Sequence, residues 1–246
     1  MVAPPAVRSY AVPVTTERLH ARLHRIPLGS FQAYLWCDDD GATLVDTGPA
    51  GSGPAIEAAL RGLGLTPGDL RRVVLTHCHE DHAGSAAEVA AWGDVEVVAH
   101  AADAPVLRGE RPAPPPAFTP FERELHARFA AGLPPAPPVR VDREVVDGDR
   151  LDFGGGAEVV GTPGHTDGSL ALHLPRHRVL FTGDIAAEYN GEVIFGLFHV
   201  DREQAAASLR RLADLDVDLA CFGHGTPART AATARLRTAA THLPPP

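Results

Sequence analysis

The segment Thr76-His77-Cys78-His79-Glu80-Asp81-His82 constrains this chain more than any other. It directly follows the apolar run Val73-Val74-Leu75, which reads as a buried strand, so the polar residues are expected at that strand's C-terminal end. In extended backbone, side chains two apart point the same way. His77 and His79 can therefore converge on one point while Asp81 and His82 turn toward another. Imidazoles and a carboxylate at this spacing are metal-ligand chemistry. Each point still needs donors from elsewhere in the chain.

The flanking pattern predicts the scaffold. Residues 19–28 and 31–37 are short and strand-like around the turn Pro27-Leu28-Gly29-Ser30, which predicts a hairpin. Residues 41–48 read as a turn, a buried strand and a terminal carboxylate. With no histidine near it in sequence, Asp46 is expected to support a ligand from the second shell rather than to be one. A helix opening at Gly53-Pro54 carries Ile56, Ala59, Leu60 and Leu63 on one face and stops at Gly64. A strand over 72–75, a second helix over 83–92 and a strand over 95–99 follow. This alternation signals a layered α/β (α+β) architecture, and 246 residues suit one domain spanning 1–246.

Ten prolines fall within residues 105–138, around a single helical island. Thr119-Pro120-Phe121-Glu122 has the form of a capping box with proline at the first helical position, and Phe118, Phe121, Leu125 and Phe129 lie along one face. This insertion is expected either to pack on the body or to act as a lid, and its aromatic face offers a surface for a homodimer. A second set of short strands is expected over 140–146, 150–153, 158–161, 169–174 and 178–182. A helix over 201–212, a strand over 217–222 and a helix over 227–238, capped by Thr226, close the chain.

Three turns after strands carry further donors: His165 in Gly161-Thr162-Pro163-Gly164-His165-Thr166, Asp184 in Phe181-Thr182-Gly183-Asp184, and His224 in Phe222-Gly223-His224-Gly225. With HxHxDH at His77 to His82, GHT at His165, TGD at Asp184, GHG at His224 and LVDTG at Asp46, the sequence resembles the metallo-β-lactamase superfamily of binuclear metallohydrolases over about residues 35–226. The resemblance implies a four-layer αββα sandwich with the site at one edge of its two sheets. It implies that His77, His79 and His165 hold one metal, that Asp81, His82 and His224 hold a second, and that Asp184 bridges them. Imidazole and carboxylate together suit two Zn2+ per chain, with Fe or Mn as competing first-row ions. Water shared by two such cations would supply hydroxide at neutral pH, since its pKa falls from about 15.7 to about 7 even on a single zinc. Asp81 is read as a ligand that could also shuttle a proton. Tyr189, Phe195, Phe198 and His199 follow the bridging position and are candidates for the substrate pocket. Most other histidines are read as surface or packing residues, and Cys78 and Cys221 as structural.

Composition narrows the chemistry. A net charge of −9, with arginine as the only basic residue besides histidine, argues against sequence-independent nucleic-acid binding. No stretch reaches the length of a membrane span. The first ten residues lack a signal-peptide pattern, and three cysteines without a CxxC pair fit a reducing cytoplasm. The expectation is a cytoplasmic dinuclear metal-dependent hydrolase, acting on a small ester, thioester or lactone through a metal-bridging hydroxide. Within the family, a glyoxalase II is expected to extend well beyond the 22 residues that follow His224, and a homoserine-lactone lactonase is expected to carry tyrosine where Ala187 stands. The runner-up is a mononuclear iron persulfide dioxygenase, which shares the GHTDG of residues 164–168 but has an arginine-rich loop that this chain lacks. A non-catalytic metal-binding protein of the same fold is the third reading.

Overall fold

The computed structural model describes residues 15–129 and 132–243. The reading of the first ten residues and the placement of the Phe129 side chain lie outside the described residues. Seven strands form the first sheet in chain order: β1 (Glu17–Arg18), β2 (Leu23–Leu28), β3 (Phe31–Asp38), β4 (Gly41–Val45), β5 (Leu70–Val74), β6 (Glu96–His100) and β7 (Arg143–Val145). β1 to β4 are antiparallel, and β4 to β7 pair in parallel. The second sheet contains β8 (Arg150–Leu151), β9 (Ala157–Gly161), β10 (Leu170–Leu174) and β11 (Val179–Phe181). A separate hairpin of β12 (Ala186–Tyr189) and β13 (Glu192–Phe195) follows. β14 (Leu219–Cys221) then joins the second sheet in parallel beside β11.

Four layers follow from side-chain alternation. In β3 the odd-numbered Ala33 and Leu35 face α1 (Gly53–Gly62) in a core with Ile56, Leu60 and Val89, whereas Tyr34 and Trp36 face the second sheet. β10 repeats the device: Leu170, Leu172 and Leu174 meet Trp36 and Val74 between the sheets, while Ala171 turns outward to Leu209 and Leu236. Successive strand residues point to opposite faces, so a strand covered on both sides is buried along its whole length. That is why β10 is buried at all five positions. The αββα order of the sandwich is thus written in these alternations.

Several elements differ from the sequence reading. The helix expected over 83–92 is two short helices, α2 (Glu80–Ala83) and α3 (Ala86–Ala90). Gly84 lies between them, where a Cβ would strike the Ala50 and Pro49 backbone, and Ser85 Oγ donates to Pro49 O at 2.6 Å and accepts from Ser52 N at 2.8 Å. A loop–loop contact therefore wins over helix continuity. β7, read as part of the second strand set, pairs with β6 and so belongs to the first sheet. After α4 (Ala104–Leu107), the insertion helix α5 (Pro120–Phe129) keeps its capping box: Thr119 N donates to Glu122 at 2.9 Å and Glu122 N to Thr119 Oγ1 at 3.2 Å. Its buried residue is Glu122, however, and of the aromatic face Phe121 is 66% exposed while Phe118 packs on Phe198.

α6 (Arg202–Ala213) starts as expected, with the Asp201 side chain accepting from Gln204 N. α7 (Ala232–Thr241) begins later than position 227, because Ala228 exchanges two backbone hydrogen bonds with Ala220 and prolongs the sheet edge. Among the described residues no helix is long and apolar enough to cross a membrane.

Candidate metal centre

Parallel pairing gathers the site. β4 and β5 run side by side and bring Asp46 next to the segment that starts at Thr76. β11 and β14 do the same for Asp184 and His224 in the other sheet. Loops after strand ends can carry polar residues without breaking the sheet ladder, so one edge of the sandwich collects all of them.

Two groups result. His77, His79 and His165 offer ring nitrogens to one point, and Asp81, His82, Asp184 and His224 offer donors to a second, the ligand atoms in each lying within 4.8 Å of one another. Ring centroids are 4.7 Å apart for His77–His79, 4.7 Å for His77–His165 and 4.6 Å for His79–His165. His165 Nε2 lies 3.0 Å from His79 Nδ1. Asp184 stands between the groups: Oδ1 is 3.2 Å from His82 Nε2, and Oδ2 is 3.1 Å from His224 Nε2 and 3.8 Å from His165 Nε2. Asp81 Oδ2 is 3.2 Å from His224 Nε2.

The two groups differ in charge. Burial pushes His77, His79 and His165 below the usual imidazole range, so all three are neutral donors. Burial also acts against charge on His82 and His224, but Asp184 beside both of them outweighs it, with Asp81 and Asp46 adding to the effect at His82. His82 is raised well above its usual value and His224 is pushed up to about 10. Asp184 is held low by the same partners, against its own burial.

The donor set fits a metal. His77 Nε2 and Asp184 Oδ1 are buried with no hydrogen-bond partner, a costly state for polar atoms unless something else satisfies them. Tetrahedral zinc with Zn–N distances of about 2.0–2.1 Å separates its ligand nitrogens by about 3.3 Å, close to the spacing of His79 and His165.

Supporting residues hold these donors. Asp46, 3% exposed, accepts from His82 Nδ1 at 2.8 Å, Thr76 N at 2.8 Å and Thr76 Oγ1 at 2.9 Å. It does so from a left-handed backbone, φ 60°. Gln32 and Tyr34 of β3 donate to Phe222 O at 2.6 and 2.7 Å and fix the His224 turn. Asp103, which the sequence reading missed, is buried and accepts from Cys78 N, Thr166 Oγ1 and Gly168 N at 2.7–3.0 Å. It ties the His77–His79 segment to the His165 turn. Its one sequence signal is a carboxylate in the loop after a strand, the same signal that singled out Asp46.

The pocket candidates separate. Phe195 packs on His199 at 4.4 Å, His199 on His165 at 5.4 Å, and Phe198 on Phe118 at 5.8 Å. Tyr189 instead sits beside the hairpin turn, paired with Glu192, and is 66% exposed.

Comparison with known proteins gives a consistent family. Residues 27–224 match the family model described as the metallo-beta-lactamase superfamily. A probable metallo-hydrolase of Bacillus subtilis, YflN, is 30% identical over 202 residues, covering 75% of each chain. A hydroxyacylglutathione hydrolase of Acidiphilium cryptum is 31% identical over 198 residues, 78% of this chain, but the match spans only 63% of that protein. Among solved structures, a metallo-beta-lactamase family protein of Thermus thermophilus superposes with a TM-score of 0.68 at 26% identity, over 92% of this chain and 80% of that one.

Proposed function

Because the chain belongs to the metallo-beta-lactamase superfamily of metallo-hydrolases, we propose that its two donor groups form a dinuclear zinc centre that hydrolyses a small ester, thioester or lactone. The observation that carries this reading is the Asp184 carboxylate set between the two groups, with Oδ1 beside His82 and Oδ2 between His224 and His165. When bound, two such cations lower the pKa of a shared water toward about 7 and polarise a substrate carbonyl. His77, His79 and His165 would hold one ion and Asp81, His82 and His224 the other, with the Asp184 carboxylate available to both.

The protein's own groups do the rest. Asp46 accepts the His82 Nδ1 proton and so leaves Nε2 free to ligate. Asp81, with its carboxyl at about 2 because His82 and His224 outweigh its burial, is ionised at neutral pH and lies 3.2 Å from His224 Nε2, a carboxylate placed to ligate and to hold a proton released by water only in passing. Thioesters stand first among the substrates, since a relative named for hydroxyacylglutathione hydrolysis supports that chemistry. Three free cysteines, two of them buried, support a reducing compartment such as the cytoplasm.

The test is hydrolysis by the zinc-loaded protein of a panel of thioesters, esters, lactones and β-lactams. Turnover of a thioester or ester, abolished by Asp184→Ala, supports the proposal. No turnover anywhere on the panel by fully loaded protein contradicts it.

A further inference from the structure

Burial decides from which side the first donor group is reached. His77 and His165 are each 1% exposed, whereas His79 is only half-buried. An open cleft of about 180 Å³ begins at His79. Its walls are Val106 and Leu107 of α4 and two arms of the proline-rich insertion, one around Ala113 and the other around Ala136. The arms are anchored: Val139 N donates to Leu107 O at 2.8 Å and Ala117 N to His199 O at 2.8 Å. Glu122 adds a clasp from the same insertion, accepting from Phe198 N at 3.2 Å and from Arg202.

The walls are mostly apolar, with Glu80 beside His79 and Arg111 as the charged members of the lining. Prolines flank both arms and bring no N–H to the cleft. Arg111 stands at the rim, but its guanidinium already donates to Ala102 O at 2.8 Å and lies 3.7 Å from the Asp167 carboxylate. Its charge is therefore shared with Asp167 rather than turned wholly to the cleft. At about 30 Å³ at most for each group of water or methylene size, the cleft holds a chain of at least about six carbons.

We propose that this cleft is an acyl pocket, which takes the apolar chain of an ester or thioester whose carbonyl stands at the His79 end, and that the insertion sets the preferred chain length. This rests on the hydrolase reading of the same site.

Acetyl, hexanoyl and dodecanoyl thioesters test it, with Ala113→Trp and Ala136→Trp filling the cleft from opposite arms. Burial is worth about fourfold per methylene, so hexanoyl should exceed acetyl in kcat/KM by at least about tenfold, and the gain per methylene should level off by dodecanoyl. Each tryptophan should lower the hexanoyl value at least about tenfold through KM and leave acetyl within about threefold. Calorimetric titration of hexanoate into the zinc-loaded protein reads the pocket without turnover. Hexanoate binding that both variants abolish, with no thioester turned over, supports the pocket and sinks only the hydrolase reading. Turnover independent of chain length, absence of both turnover and hexanoate binding, or tryptophan variants that leave hexanoyl KM and hexanoate binding unchanged overturns the pocket.

Discussion

Asp46 Oδ2 lies 2.8 Å from His82 Nδ1, and both side chains are almost wholly buried. This contact fixes which ring nitrogen of His82 faces the other donors. It joins the last residue of the heptapeptide to the end of a neighbouring parallel strand. Sequence alone places these residues 36 positions apart; the β4–β5 pairing makes them neighbours.

Asp46→Asn separates the charge from the backbone requirement, since asparagine tolerates a left-handed φ. The fold should persist by circular dichroism. Zinc affinity, measured by competition with a chromogenic chelator, should fall about 10–100-fold, as for other outer partners of ligating histidines. Unchanged affinity would remove Asp46 from the site.

Gly223 leaves no room for a methyl group. A Cβ there would collide with Asp184 Oδ1 and His82 Cε1. Gly223→Ala should therefore displace both donors and weaken metal binding at least about tenfold. Gly62→Ala is the control: nothing lies within 4 Å of a Cβ at that helical position, and the change should raise stability by about 0.4–1 kcal/mol in urea melts.

Glu122 carries a pH signature. Burial alone would raise its carboxyl, but hydrogen bonds from Thr119, Arg202 and Phe198 N–H together hold it at about 2, below the 4.5 of a free glutamate. A depressed folded-state pKa contributes stability that is complete above the unfolded value and is lost as pH falls toward the folded one. The stability gap between wild type and Glu122→Gln should thus be constant above about pH 5 and close between about pH 4.5 and 2. At neutral pH, Glu122→Ala should cost about 1–3 kcal/mol, because it leaves Arg202 and the Phe198 N–H without their acceptor. Urea titrations across this range measure both effects.

Much of this was legible in the sequence because the donors sit in short motifs whose position after apolar runs reveals strand ends. The layers were legible in part, since Val73-Val74-Leu75 is an unbroken apolar run, as a strand covered on both faces tends to be; in β10 His173 interrupts that pattern although the strand is buried throughout. Long-range backbone contacts were not. The Ser85–Pro49 bond that breaks the α2–α3 run and the Ala220–Ala228 bridge that delays α7 join segments with no local signal of one another. Glu122 was read only as a helix cap, because nothing nearby announces a partner at Arg202, 80 residues away. Periodicity put Phe121 on one aromatic face with Phe118, but whether each of these side chains is covered is decided by its neighbours in space.

The central claim is a centre of two metal ions held by seven side chains. Native mass spectrometry of the purified protein, with elemental analysis of the same sample, tests it most directly. Two zinc-mass ions per chain, with Asp184→Ala unable to retain both, is the predicted result. A single iron per chain, or a protein that takes up no first-row metal, would contradict it.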